Sequence, residues 1–253
     1  MTHLETARAG HASRLAFLSA ITRPMAILLL LQLLSGLLAS PQRTFFPIYV
    51  REMGYPVLLI SALASAQQAM GLLGAWFGGA LSDALGHKQA LLTGQAGAFL
   101  AGLAFLVPAA GWFAPLWVAS GLCGGVYTVG AQSYLVAAAQ PEHLGLFSAF
   151  YNWGSSLGGA LGSPAAGFLL ERWNYRLFGA VAVAVAVMAL IINLFVLPRS
   201  PGDHPRAARR AMFGYRDVAA RPTARLLALL RFLPTCYWGM ATVLTPLLLQ
   251  DAG

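Results

Sequence analysis

The stretch GGALSDALGHKQALL at 78–92 carries the densest set of groups able to do ionic or acid–base chemistry in this sequence. Asp83 offers a carboxylate, His87 an imidazole and Lys88 an ammonium, and apolar runs close in on both sides. A carboxylate placed just before a helix start can hold its free N–H groups and suits the positive end of the dipole. A second isolated charge, Arg43, stands 19 residues past Pro24, roughly 28 Å along a helix. Its guanidinium either snorkels to an interface or offers a site for a carboxylate or other anion. Gln32, Gln68, Tyr127, Gln132 and Asn152 add uncharged polar groups within otherwise oily segments. They are candidates to touch a substrate in a cavity, or to bond helix to helix at under about 2 kcal/mol each.

No enzyme's constellation comes out of these groups. Carboxylates are scarce, the histidines fall in expected loops and tails, and no Ser-His-Asp or metal-ligand spacing occurs. A phosphate-binding loop with its lysine is also missing, so no cofactor, no metal and no ATP-driven step is expected. Cys123 and Cys236 lie in apolar runs without CxxC spacing and are read as small buried hydrophobes.

What must position these residues follows from composition. Of 253 residues 58% are hydrophobic and only 9% charged, against about 25% charged in soluble domains. So few charges leave most of the surface apolar, and the lipid bilayer is the expected solvent. A crossing helix needs about 20 apolar residues. Seven stretches meet that length, at about 24–50, 57–80, 89–108, 112–139, 147–170, 176–197 and 224–249. The run after Arg23 imitates a secretion leader but is read as the first span, since further spans follow. No period-two alternation marks a strand. The expected organisation is a tail at 1–23, a six-helix bundle at 24–197, a basic linker at 198–223 and a seventh span at 224–253.

A net charge of +8 would suggest nucleic acid in a soluble protein; here it reads as membrane orientation. With the N-terminus cytoplasmic, Arg8, Arg14, Arg23, Lys88, Arg199, Arg206, Arg209, Arg210, Arg216 and Arg221 lie inside, and Arg51, Arg172 and Arg176 outside. Ten against three gives a multi-pass protein of the cell (inner) membrane with 78–92 on the cytoplasmic face and no nucleic-acid partner. Trp112, Trp117 and Trp173 fit interfacial belts.

Six spans, a long basic linker and a further span resemble the major facilitator superfamily of secondary transporters. GALSDALGHK at 79–88 is similar to that family's signature loop between helices two and three. Gly79, Asp83, Gly86 and Lys88 match it, while Ala84 and His87 stand where a basic residue is usual. The resemblance implies a conformational gate, in which this loop latches the two halves of a twelve-helix fold on the cytoplasmic side. GALGSPAAGF at 159–168 resembles a helix-five pattern associated with antiporters: Gly159, Pro164 and Gly167 match, and Ser163 and Phe168 replace glycines. That pattern implies tight packing and a bend. GFLLERWNYRLFG at 167–179 is similar to the turn from helix five to six.

The resemblance implies transport of small organic solutes by alternating access, with export the direction suggested. It also implies that helices one, two, four and five line a central cavity, which is why Gln32, Arg43, Gln68, Tyr127, Gln132 and Asn152 are its candidate lining. Two departures matter. Helix four lacks the arginine linked to proton coupling in many exporters, and Leu144 stands where an arginine is common. The sequence reads as a truncated first half plus helix seven, or as a half that pairs with a second copy. A seven-helix receptor or scaffold without transport is the competing reading.

Overall fold

The computed structural model of the protein describes residues 22–200 and scattered positions between 220 and 241. The expected tail, basic linker and seventh span, with Cys236, lie almost wholly outside the described residues. Six long helices follow in order: α1 Arg23–Glu52, α2 Val57–Leu85, α3 His87–Leu106, α4 Ala110–Ala138, α5 Leu144–Arg172 and α6 Tyr175–Ile191. A 3-10 turn, Pro141–His143, precedes α5, and a π-helical turn, Ile192–Val196, extends α6. Pro24 opens α1, where its fixed φ is already helical and its missing N–H costs nothing. Asn174 caps α6 by accepting from the Leu177 N–H at 2.9 Å.

Five of these helices are long and apolar enough to cross a bilayer, and α5 is the exception. It has 29 residues, ample length. Its sequence is diluted by Ser148, Asn152, Ser155, Ser156, Ser163 and six glycines from Gly145 to Gly167. The fifth expected span, 147–170, is therefore less apolar than the other five. This helix is small and polar because it packs, not because it is short.

The chain arranges the helices as two pairs, α1 with α5 and α2 with α4. The remaining two, α3 and α6, join them: α3 packs broadly on α4 and on α6, whereas α4 and α5 barely meet. Small residues set the pairing. A Cβ on Gly74 would run into the backbone carbonyl of Leu122, and one on Gly36 into that of Ser155. Helices so close gain dispersion contact between backbones, the main attraction available where lipid is as apolar as the side chains. Large aromatics then fill the wider gaps. At the end away from Gly86, Phe46 stacks on Trp117 with centroids 3.6 Å apart, and Phe105, Phe113 and Phe178 close around them. At the Gly86 end the core is Leu28, Leu31, Leu91, Tyr134, Phe147 and Tyr151.

Outside, the molecule is oil. Leu58 is 81% exposed, Leu72 73% and Phe195 77%, an apolar coat that water would penalise and acyl chains do not. Trp112 and Trp173 are exposed as belt residues would be, but Trp117 is 3% exposed and belongs to the aromatic core. That one belt assignment is corrected: Phe46 across the helix gap takes the indole face that lipid would otherwise meet.

Candidate functional site

The signature stretch is not a loop. α2 continues through Asp83 to Leu85, α3 starts at His87, and only Gly86 separates them. Ala80, Leu81, Ala84 and Leu85 are good helix formers and nothing before Gly86 stops propagation. Gly86 stops it with φ 98° and ψ 157°, a region essentially reserved for glycine. Its N–H still reaches the Ser82 carbonyl at 3.0 Å.

This geometry corrects the role given to Asp83 as a cap for the next helix. Asp83 sits in the last turn of α2, exposed, and α3 begins at Gly86 with no side-chain cap. Among the described residues its carboxylate has no hydrogen bond or ion pair. The neighbours do have partners. Ser82 Oγ lies 2.6 Å from His87 Nδ1, and Lys88 Nζ donates to the carbonyls of Leu194, at 2.9 Å, and Leu197. Lys88 therefore closes the open carbonyl end of α6, tying the α2–α3 junction to the π turn. Tyr134 adds a second tie from α4, donating to the Pro198 carbonyl at 3.0 Å. Of the four gate candidates, Gly79 is half-buried, and the close approach to α4 belongs to Gly78, whose Cβ would lie 2.9 Å from Val126 Cα.

The helix-five pattern divides in the same way. The seam with α1 is made by Gly158 and Gly162, whose added Cβ atoms would strike the Leu33 and Leu37 carbonyls. Gly159 lies beside it, 3.1 Å from Ser40 Cβ by the same measure, and Ser163 meets Ser40 hydroxyl to hydroxyl at 3.0 Å. Gly167 has ordinary clearance, 3.8 Å from Phe45, so the tight-packing role expected there is not found. Pro164 is exposed within an unbroken helix; its missing N–H frees the Ala160 carbonyl.

The six cavity candidates fall into two groups. Gln32 and Tyr127 are buried together, the phenol donating to Gln32 Oε1 at 3.2 Å, and so bond α1 to α4. Arg43, Gln68, Gln132 and Asn152 are exposed. Asn152 donates back to the Ser148 carbonyl at 2.8 Å, while its neighbour on the same helix, Tyr151, is buried. On α2, Gln67 turns inward to donate to Ser120 Oγ at 3.2 Å, while Gln68 and Ser65 lie exposed on the other face.

One polar pair escaped the reading of the sequence. Asn193, fully buried, donates to Gln95 Oε1 at 2.9 Å, while its own Oδ1 has no partner among the described residues. The signal was a lone amide in the run ALIINLFVL, where a polar group must find a partner. Around it α6 widens into the π turn, a local distortion often seen where a helix serves a special purpose.

Comparison with known proteins adds to this geometry. The sequence profile of the Major Facilitator Superfamily matches residues 28–253. The chain is 29% identical to Multidrug resistance protein MdtH of Klebsiella pneumoniae subsp. pneumoniae over 157 residues, 59% of this chain and 37% of that protein. With the protein of the same name from Escherichia coli O1:K1 / APEC it shares 27% over 158 residues, again 59% of this chain and 37% of the relative. The matched part thus spans little more than a third of these relatives. Among solved structures, a crystal structure of peptide transporter POT in complex with sulfate superposes with a TM-score of 0.61 at 16% identity, over 86% of this chain and 46% of that one.

Proposed function

This chain belongs to the Major Facilitator Superfamily, and we propose that its six helices form one bundle of a transporter that moves small organic molecules by alternating access. The match of that family's profile across residues 28–253 carries the reading. Efflux is the direction it favours, since the relatives at 29% and 27% identity are named as multidrug resistance proteins. The polar, exposed positions Gln68, Gln132, Asn152 and Arg43 would line the substrate path. The membrane is the cell (inner) membrane, with the N-terminus in the cytoplasm.

The gate is the Gly86 junction. Gly86 shapes it, Lys88 fastens it to α6, and Asp83 stands exposed with its carboxylate unspent. A cation on a second helix bundle would satisfy that carboxylate when the cytoplasmic side closes, and would release it when it opens. A second bundle is also what the structural likeness supports, because 86% of this chain covers only 46% of the transporter it resembles.

Flux tests the reading. The full gene product, reconstituted in liposomes under an imposed proton or sodium gradient, is expected to move at least one of a panel of aromatic cations, anions and neutral compounds against its gradient. Rates equal to protein-free liposomes for every compound would reject transport and favour a receptor or scaffold.

A further inference from the structure

We infer that the guanidinium of Arg43 is an anion site, and that the solute this protein carries is an organic anion bearing a carboxylate or sulfonate. The inference rests on the transporter reading above and sharpens it from small organic molecules to one charge class.

Depth is the first observation. Arg43 lies nine residues before the end of α1 at Glu52, about 14 Å along the axis. Every other charged side chain described in α1–α6 lies within two residues of a helix end, from Arg23, Arg51 and Glu52 to Asp83, Lys88, Glu171, Arg172 and Arg176. A charge held that deep in an apolar helix is costly and points to a water-filled path or a ligand.

Direction is the second. At 100° per residue, positions 32, 36, 43 and 47 fall within about 60° of one another around α1. Gln32 on this arc bonds to Tyr127 of α4, and Gly36 packs on Ser155 of α5. The arc therefore looks into the space between α4 and α5, two helices that scarcely touch. Leu30, exposed on the outer surface of α1, is about 140° away. An arginine serving only to snorkel would stand on the Leu30 side.

Chemistry is the third. Arg43 is exposed and has no hydrogen bond or ion pair among the described residues, and a guanidinium offers donors only. Between the helix ends of α1–α6 there is no carboxylate to receive a cationic solute. A carboxylate or sulfonate meets these conditions, because a guanidinium fork pairs with it in two parallel hydrogen bonds.

Three isosteric probes test it: tritiated 1-naphthoate, 1-naphthylmethanol and 1-naphthylmethylammonium, bound at equilibrium to the full gene product in phosphatidylcholine nanodiscs, with empty discs subtracted. The expected result is saturable naphthoate binding about tenfold tighter than either analogue, weakened about tenfold by Arg43→Gln and partly kept by Arg43→Lys. Wild-type affinity in Arg43→Gln, a preference for the ammonium, or no saturable naphthoate binding overturns the inference. Should Arg43→Gln fail to give a monodisperse protein, bound naphthoate is expected to shield Arg43 of the unmodified protein from phenylglyoxal, and lack of shielding overturns it equally. If phosphatidylglycerol in the discs abolishes the binding, Arg43 serves a lipid phosphate and the solute assignment falls. Flux separates the two readings. Gradient-driven flux indifferent to probe charge and to Arg43 removes the anion site and keeps the transporter, whereas Arg43-dependent binding without flux does the reverse.

Discussion

At Gly86 the backbone holds φ 98° and ψ 157°, and that single residue turns α2 into α3 with no loop. An alanine there would place its Cβ in a region that costs about 1–3 kcal/mol. Gly86→Ala is expected to lower the thermal midpoint of the detergent-solubilised protein by about 2–4 °C for each kcal/mol. Gly111→Ala serves as comparison: a Cβ there meets nothing within 4 Å, so its midpoint should stay at the wild-type value. Equal midpoints for the two variants would mean that the junction does not depend on this conformation. The same residue explains why Asp83 is no cap. The helix continues past it, so the carboxylate stands at a carbonyl end, where the dipole disfavours it unless a cation from elsewhere compensates.

Between elements, small residues decide which helices touch. The α2–α4 and α1–α5 seams bring backbone onto backbone at Gly74, Gly125, Gly36 and Gly158. Backbone cannot swing aside as a side-chain tip can, so one added methyl must push two helices apart and forfeit contact along the seam. Gly74→Ala is expected to destabilise by about 1–3 kcal/mol, read as a broadened size-exclusion peak and an earlier melt. Gly124→Ala lies on the same helix as Gly125, but its Cβ would enter open space; it should behave as wild type. Damage from both, or from neither, would contradict the seam. Polar ties complete what the seams begin. Lys88, Tyr134 and the Gln95–Asn193 pair all converge on the last turns of α6, so the point where the chain leaves the bundle is fastened to α3 and α4.

Over the whole molecule, an apolar coat defines its relation to the membrane, and the proposed orientation is open to test on α2. With Cys123 and Cys236 replaced by serine, Pro56→Cys and Leu85→Cys place thiols at exposed positions on opposite ends of α2. An impermeant maleimide is expected to label position 56 in intact cells and position 85 only after permeabilisation. The opposite pattern would invert the orientation. Labelling of both in intact cells would deny that α2 crosses.

How much of this the chain announces in advance depends on whether a property is local. Span positions were legible because hydrophobicity and length belong to a segment alone: stretches expected at 57–80, 89–108 and 112–139 fold as Val57–Leu85, His87–Leu106 and Ala110–Ala138. Family membership was legible too, since the glycines and the aspartate of 79–88 keep their spacing whatever surrounds them. Which of two adjacent glutamines faces inward, why Trp117 is core while Trp112 is coat, and that Gly158 and Gly162 rather than Gly167 bear the α1 contact were decided by tertiary structure. Each is a relation between two helices, and a one-dimensional pattern does not record the distance between them. The arc of α1 that holds Arg43 likewise acquires its meaning from α4 and α5, the helices on either side of the gap it faces.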